Sequence, residues 1–243
     1  MKIEIYNSAH ELGKAAAKNA ARLLRKAIEI NGAANIILAT GTSQFEILHQ
    51  LISENIDWSK VTMFHLDEYI ELPVTHPASF RKYLQERFTT KVVLKETYLI
   101  NGETNPEQEC GRLGKLIMQK QIDVALVGIG ENGHLAFNDP PADFETEEPF
   151  IIVELDEACR RQQMNEGWFN SLDEVPRKAI SMSVKQIMRS ENIICCVPGK
   201  RKATAIKNCM THEVSNLYPA SILQAHKNCI VYLDKDSASL LNN

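Results

Sequence analysis

This chain of 243 residues has no apolar run approaching the ~20 residues that a membrane-spanning helix needs, so no such span is expected. It has no excess of basic charge. Its 27 lysines and arginines against 31 acidic residues leave a net charge of −4. A whole-protein field for nucleic acid is therefore excluded, and an anionic substrate must be held by local groups. The six cysteines, Cys110, Cys159, Cys195, Cys196, Cys209 and Cys229, show no CxxC spacing and no paired-ligand pattern. That argues against a zinc site and against a disulfide scaffold, and it suits a reducing cytoplasm. The opening Met1–Tyr6 is too polar for a signal peptide. Internal repeats, low-complexity tracts and flexible linkers are absent as well. With 44% hydrophobic residues over this length, the core needs no staple, and one domain spanning 1–243 is expected.

What is present is an alternation of strand and helix signals from end to end. Lys2–Tyr6, Asn35–Ala39, Val61–Leu66 and Ile122–Val127 read as strands, as do Phe150–Leu155, Ile180–Val184, Ile193–Val197 and Cys229–Leu233. Helical spacing covers Ala9–Ile30 (stopped by Gly32), Phe45–Ser53, Phe80–Phe88, Pro106–Gln119 and Lys200–Cys209. Repeated β–α alternation predicts an α/β fold, a single-domain doubly wound, mostly parallel sheet with helices on both faces. Asp139–Pro149 is the longest irregular stretch and is expected to act as an active-site lid.

Polar groups gather just beyond the strands. After Val127 comes Gly128-Ile-Gly-Glu-Asn-Gly-His-Leu-Ala-Phe-Asn-Asp-Pro140. A glycine-rich turn lets backbone N–H groups approach a ligand, and His134 with Asp139 can supply acid–base chemistry. Open α/β sheets bind ligands at this edge. After Leu38, Ala39-Thr-Gly-Thr-Ser-Gln44 joins a strand to a helix, and its N–H groups and hydroxyls suit an anion. No GK[ST] follows, which disfavours a nucleoside triphosphate. Leu66-Asp-Glu-Tyr69 ends a third strand, and a desolvated carboxylate there can serve as a general base. Pro198-Gly-Lys-Arg-Lys-Ala203 ends a fourth, with lysines able to neutralise a phosphate. Lys200 and Arg201 read better as an exposed helix start.

In order and spacing these segments, together with Leu72-Pro-Val-Thr-His-Pro-Ala-Ser-Phe80 and Pro219-Ala-Ser-Ile-Leu-Gln224, resemble the glucosamine-6-phosphate deaminase (isomerase) family over nearly the whole chain. The resemblance implies opening of an amino-sugar 6-phosphate ring, a proton shift from C2 to C1 and release of ammonia, giving fructose 6-phosphate. It implies that Asp67 moves the C2 proton and that His134 assists ring opening. Asp139 stands where the family usually has a glutamate, and Asn132 where members carry aspartate or asparagine. Thr40, Gly41, Thr42 and Ser43 match the phosphate turn, Gly133 belongs to the substrate turn, and Lys202 matches a phosphate-contacting lysine. No cofactor and no metal are implied, because enediol charge can be met by N–H groups of the glycine turn. The implied partner is a small sugar phosphate, with no nucleic acid and no membrane; the oligomeric state stays open.

Three departures accompany the resemblance. Gly167, in Asn165-Glu-Gly-Trp-Phe169, occupies the place of a phosphate-clasping arginine, so Arg160 or Arg161 is expected to supply that charge. The chain runs only briefly past its last strand, so the C-terminal extension of some allosterically regulated members, and amino-sugar activation of that kind, are not expected. Cys159-Arg-Arg-Gln-Gln163 suggests a different substrate rim. The alternatives are a galactosamine 6-phosphate substrate, a hydrolase like the 6-phosphogluconolactonases, and a non-catalytic sugar-phosphate sensor. The intact Leu66–Tyr69 motif weighs against the hydrolase, and retention of Asp67, His134 and Asp139 together weighs against the sensor.

Overall fold

The computed structural model describes residues 1–241. Seven strands form one parallel sheet: β1 (Lys2–Tyr6), β2 (Ala34–Leu38), β3 (Val61–His65), β5 (Glu96–Tyr98), β6 (Val124–Val127), β9 (Asn192–Val197) and β10 (Cys229–Asp234). Their spatial order is β1-β10-β9-β6-β2-β3-β5. From β2 the chain winds outward through β3 to β5. It returns to β6, beside β2, and winds the other way through β9 to β10. The order reverses between β2 and β6, and a doubly wound sheet opens its ligand crevice at such a point.

Side chains alternate across each central strand, and both faces are covered. Ile36, Leu38, Val124 and Leu126 join one core under α1 (Ala9–Asn31), α2 (Phe45–Leu51) and α3 (Phe80–Leu84). Ile37, Ala125 and Val127 join the other, under α4 (Pro106–Ile117), α6 (Val184–Met188) and α7 (Ala203–Thr211). Helix α1 starts where Ser8 accepts from Glu11 N–H while Glu11 reaches back to Asn7 N–H. It stops at Gly32, whose φ of 73° is left-handed.

One feature departs from the sequence expectation. Phe150–Glu154 (β7) and Lys178–Met182 (β8) do not join the parallel sheet. With Asp67–Tyr69 (β4) they make a separate antiparallel sheet, ordered β4-β8-β7. The exchange happens at Leu66. Its N–H bonds to Leu38 O in the main sheet, while its carbonyl accepts from Met182 N–H in the small one. Asp67 therefore leaves the end of β3 turned into a new strand, paired with Ser181. A third apolar cluster, including Tyr69, Phe80, Phe137, Phe169 and Cys159, seats α5 (Glu157–Asn165) against this small sheet.

The segment 140–149 is tied down away from the crevice. Ala142 N–H bonds to Asn216 O, and Glu147 pairs with Lys185 and Arg189. It does not line the cleft described below, so it is not the lid expected from its irregularity. Among the described residues no helix is long and apolar enough to cross a membrane.

Candidate active site

The crevice at the switch point encloses about 520 Å³ including its mouth, enough for a phosphorylated sugar. Residues 39–43 after β2, Leu66 and Asp67 after β3, Gly128–Gly130 and His134 after β6, and Lys202 after β9 all line it. Four strand ends that the sequence marked as polar thus share one cavity.

The turn after β2 has Gly41 at φ 88°, followed by a 3₁₀ turn, Thr42–Gln44, that runs into α2. Tyr83 Oη donates to Gly41 O at 2.9 Å. The fully buried Gln44 donates to Ser43 Oγ and to Val127 O, locking this turn to the end of β6. Lys202 closes a 3₁₀ turn after β9 and is 8% exposed. Burial pushes its ammonium below the usual lysine range, and the charges of Glu166 and Glu131 pull it partly back. Lys200 and Arg201 are exposed, as expected, and Arg201 lies 3.5 Å from Glu131.

The two adjacent carboxylates have different environments. Glu68 accepts from the backbone N–H groups of Tyr69, Phe80 and Arg81, from the Ser79 hydroxyl and from the Arg81 guanidinium. It clamps the chain that follows β4. Asp67 faces the cleft, and burial, with the repulsion of Glu68, raises its carboxyl to about 8.

His134 folds back over Gly130. A Cβ at Gly130 would sit 2.3 Å from the imidazole, so only glycine admits the ring there. His134 Nδ1 lies 3.0 Å from Asp139 Oδ1. Asp139 also accepts from Asn132 Nδ2 and from Asp156 N–H. Burial works to raise the Asp139 carboxyl, but these contacts and His134 outweigh it and hold it below the usual range. Asn132 receives His134 N–H on its own oxygen, so it braces both partners. Asn132 and Asp139 sit behind the imidazole and do not line the cleft themselves.

Three expectations are corrected here. Arg160 and Arg161 do not reach the cleft. Helix α5 presents Cys159, Gln162, Gln163 and Glu166 inward, at the spacing of one helical face. The neighbouring positions turn away: Arg160 donates to the carbonyls of Leu172 and Val175, and the exposed Arg161 pairs with Glu157. Gly133 does not line the cleft either. At φ 89° it closes the turn, with its N–H on Gly130 O and its carbonyl taken by Ala220 N–H. The glycine turn also spends several of its expected donors internally. Gly130 N–H bonds to His134 O, Glu131 N–H to Gln162 Oε1 and His134 N–H to Asn132.

Gln162 and Gln163, read only as part of a substrate rim, and Glu166, which sequence reasoning missed, line the same cleft. Gln162 bridges Glu131 N–H to Glu166, which fixes that side of the cleft to the His134 loop. Sequence reasoning also missed Asp156, the N-cap of α5, which binds Cys159 N–H, Asn132 Nδ2 and, through its own N–H, Asp139. The available signal was the Leu-Asp-Glu-Ala sequence at 155–158, a helix N-terminus pattern.

A family model described as glucosamine-6-phosphate isomerases/6-phosphogluconolactonase matches residues 7–232. A glucosamine-6-phosphate deaminase from Lactobacillus delbrueckii subsp. bulgaricus is 38% identical over 242 residues, covering 99% of this chain and all of that protein. The solved structure of a monomeric glucosamine-6-phosphate deaminase superposes with a TM-score of 0.89 at 32% identity, covering 99% of this chain and 100% of that one. A 6-phosphogluconolactonase from Trypanosoma brucei superposes with a TM-score of 0.82 over 99% of this chain and 98% of that one; at 16% identity it shares the fold alone.

Proposed function

This chain belongs to the glucosamine-6-phosphate isomerase/6-phosphogluconolactonase family, and from that premise we propose that it converts an amino-hexose 6-phosphate, glucosamine 6-phosphate first, into fructose 6-phosphate and ammonia. The observation that carries the reading is the meeting of three groups in one cleft: the 40–43 turn with Lys202, the buried Asp67 carboxyl and the braced His134. The first suits a phosphate, the second a carbon acid and the third a ring oxygen.

In this reading the phosphate sits against the Thr40–Ser43 donors and the Lys202 ammonium, the cation among the described residues lining the cleft. His134, oriented by Asp139 and Asn132, takes the proton from the C1 hydroxyl and returns one to the ring oxygen, opening the ring. The Asp67 carboxylate then removes the C2 proton. The electron pair forms the C1–C2 double bond and leaves an enolate charge on O1 beside the C2 amine; Asp67 returns its proton to C1, and a proton passes from the amine nitrogen to O1. The resulting C2 imine adds water and expels ammonia, leaving the ketose. With the N–H groups of Gly130, Glu131, Gly133 and His134 engaged internally, this reading places the His134 side chain at the developing enolate oxygen. The six thiols are free, in keeping with action in a reducing cytoplasm.

A panel of glucosamine, galactosamine and N-acetylglucosamine 6-phosphates with 6-phosphogluconolactone tests this. Ammonia and fructose 6-phosphate in equal amounts from glucosamine 6-phosphate are expected. Lactone hydrolysis without ammonia release from any amino sugar would overturn it.

A further inference from the structure

His134, Asp139 and Cys159 bring an imidazole nitrogen, a carboxylate oxygen and a thiol sulfur to within 4.8 Å of one another. The turn after β6 supplies the first two, and the first turn of α5 supplies the third. Nothing in the isomerisation uses a thiol, yet Cys159 is fully buried against this pair. His134 is 7% exposed, and its Nδ1, although 3.0 Å from Asp139 Oδ1, has no hydrogen-bond partner in line with it. Nδ1 is thus buried without an aligned hydrogen bond, on the imidazole that shares this small space with the sulfur.

Charge supports a dication there. Asp139 belongs to this cluster, and Asp156 caps the same turn of α5 through Cys159 N–H. The same carboxylates attract a divalent ion, which displaces the thiol proton. One thiolate, one carboxylate and one neutral imidazole balance a +2 charge. Bond lengths of about 2.0–2.3 Å around zinc put tetrahedral ligand atoms about 3.3–3.6 Å apart, so side-chain shifts of about 1 Å complete the set. Of the three ligands only His134 lines the cleft, so the ion would be held behind the imidazole that the cleft needs. Sulfur and imidazole ligands select against magnesium and calcium. The geometry points to an inhibitory site for a thiophilic divalent cation, zinc above all, built from His134, Asp139 and Cys159.

Binding stands on the ligand geometry alone; inhibition rests on the catalytic reading given above, because the ion would occupy the ring-opening imidazole and its carboxylate. The test uses the full chain, stripped with a chelator and titrated with Co²⁺ as a spectroscopic probe. A sulfur-to-cobalt charge-transfer band saturating at one ion per chain is expected, displaced by Zn²⁺ and absent in Cys159→Ser and Cys159→Ala. The Zn²⁺ concentration that halves each variant's own activity should rise at least about tenfold over that of the parent. The serine variant keeps a hydroxyl for Asp139, and thermal melts establish that both variants fold. No charge-transfer band in the parent, or equal zinc sensitivity in parent and Cys159→Ser, overturns the site. A full band with undiminished turnover upholds the metal site and instead overturns the catalytic roles of His134 and Asp139.

Discussion

Asp67 and Glu68 are adjacent and chemically alike, and their surroundings give them different work. Glu68 is wrapped by three backbone N–H groups, a hydroxyl and a guanidinium, and holds the chain in place. Asp67 is 6% exposed and faces the cleft, its carboxyl raised to about 8 by burial and by Glu68. A base with that value is ionised over the upper part of the working pH range, where it binds a proton strongly enough to take one from carbon. The sign follows directly: only the carboxylate acts as base, so kcat/KM should rise with pH through an apparent value near 8. Asp67→Asn should lower turnover by about 10²–10⁴ and erase that rising limb. Ammonia release measured from pH 5 to 9 checks both. A limb unchanged in the variant, or one centred near the ordinary carboxylate value, would remove Asp67 from the role.

At the scale of elements, helix α5 decides the shape of the site and was the hardest part to read from the sequence. The long apolar strands β2, β3, β6 and β9 were legible because both sides are buried and the run is uninterrupted. The polar turns after them were legible because they break those runs abruptly. Strands β4 and β5 have three residues each, too few to show a period of two. In α5 the inward face is Cys159, Gln162, Gln163 and Glu166, a helical stripe that is polar because it meets a cleft and its loops. Polar stripes read as solvent, so Gln162 and Gln163 stood out only as part of a substrate rim, Glu166 was missed, and the outward Arg160 and Arg161 were expected to supply the phosphate charge. This gives a paired prediction. Arg160→Ala leaves the Val175 carbonyl without its donor, and the Leu172 carbonyl with Val175 N–H alone, and should cost about 1–3 kcal/mol of stability with KM unchanged. Lys202→Ala should raise KM with little change in melting temperature, because its proposed partner is the phosphate. Steady-state kinetics and thermal melts on the two variants separate the roles, and a KM effect from Arg160→Ala would restore that arginine to the phosphate site.

At the scale of the whole molecule, the double winding sets the site's cost as well as its place. The sheet reverses between β2 and β6, so strand ends from both halves converge there, and Leu66 hands the chain to a second sheet that turns Asp67 inward. That arrangement desolvates a carboxyl the fold does not need. The folded state holds the Asp67 proton up to about pH 8, whereas the unfolded chain releases it near the ordinary aspartate value of 3.8. Between those values the folded state binds more protons than the unfolded one, so this group's contribution to stability falls as pH rises and the full penalty is present above 8. Asparagine at position 67 does not titrate. Asp67→Asn should therefore melt at a higher temperature than the parent, and the gap should widen from pH 5 to pH 8.5. A widening of about 2–4 °C corresponds to ~1 kcal/mol for a chain of this size. Thermal melts of both proteins across that range measure it, and other titrating groups largely cancel because both chains carry them. Parallel melting curves would mean that Asp67 is not held in the desolvated state that its proposed chemistry requires.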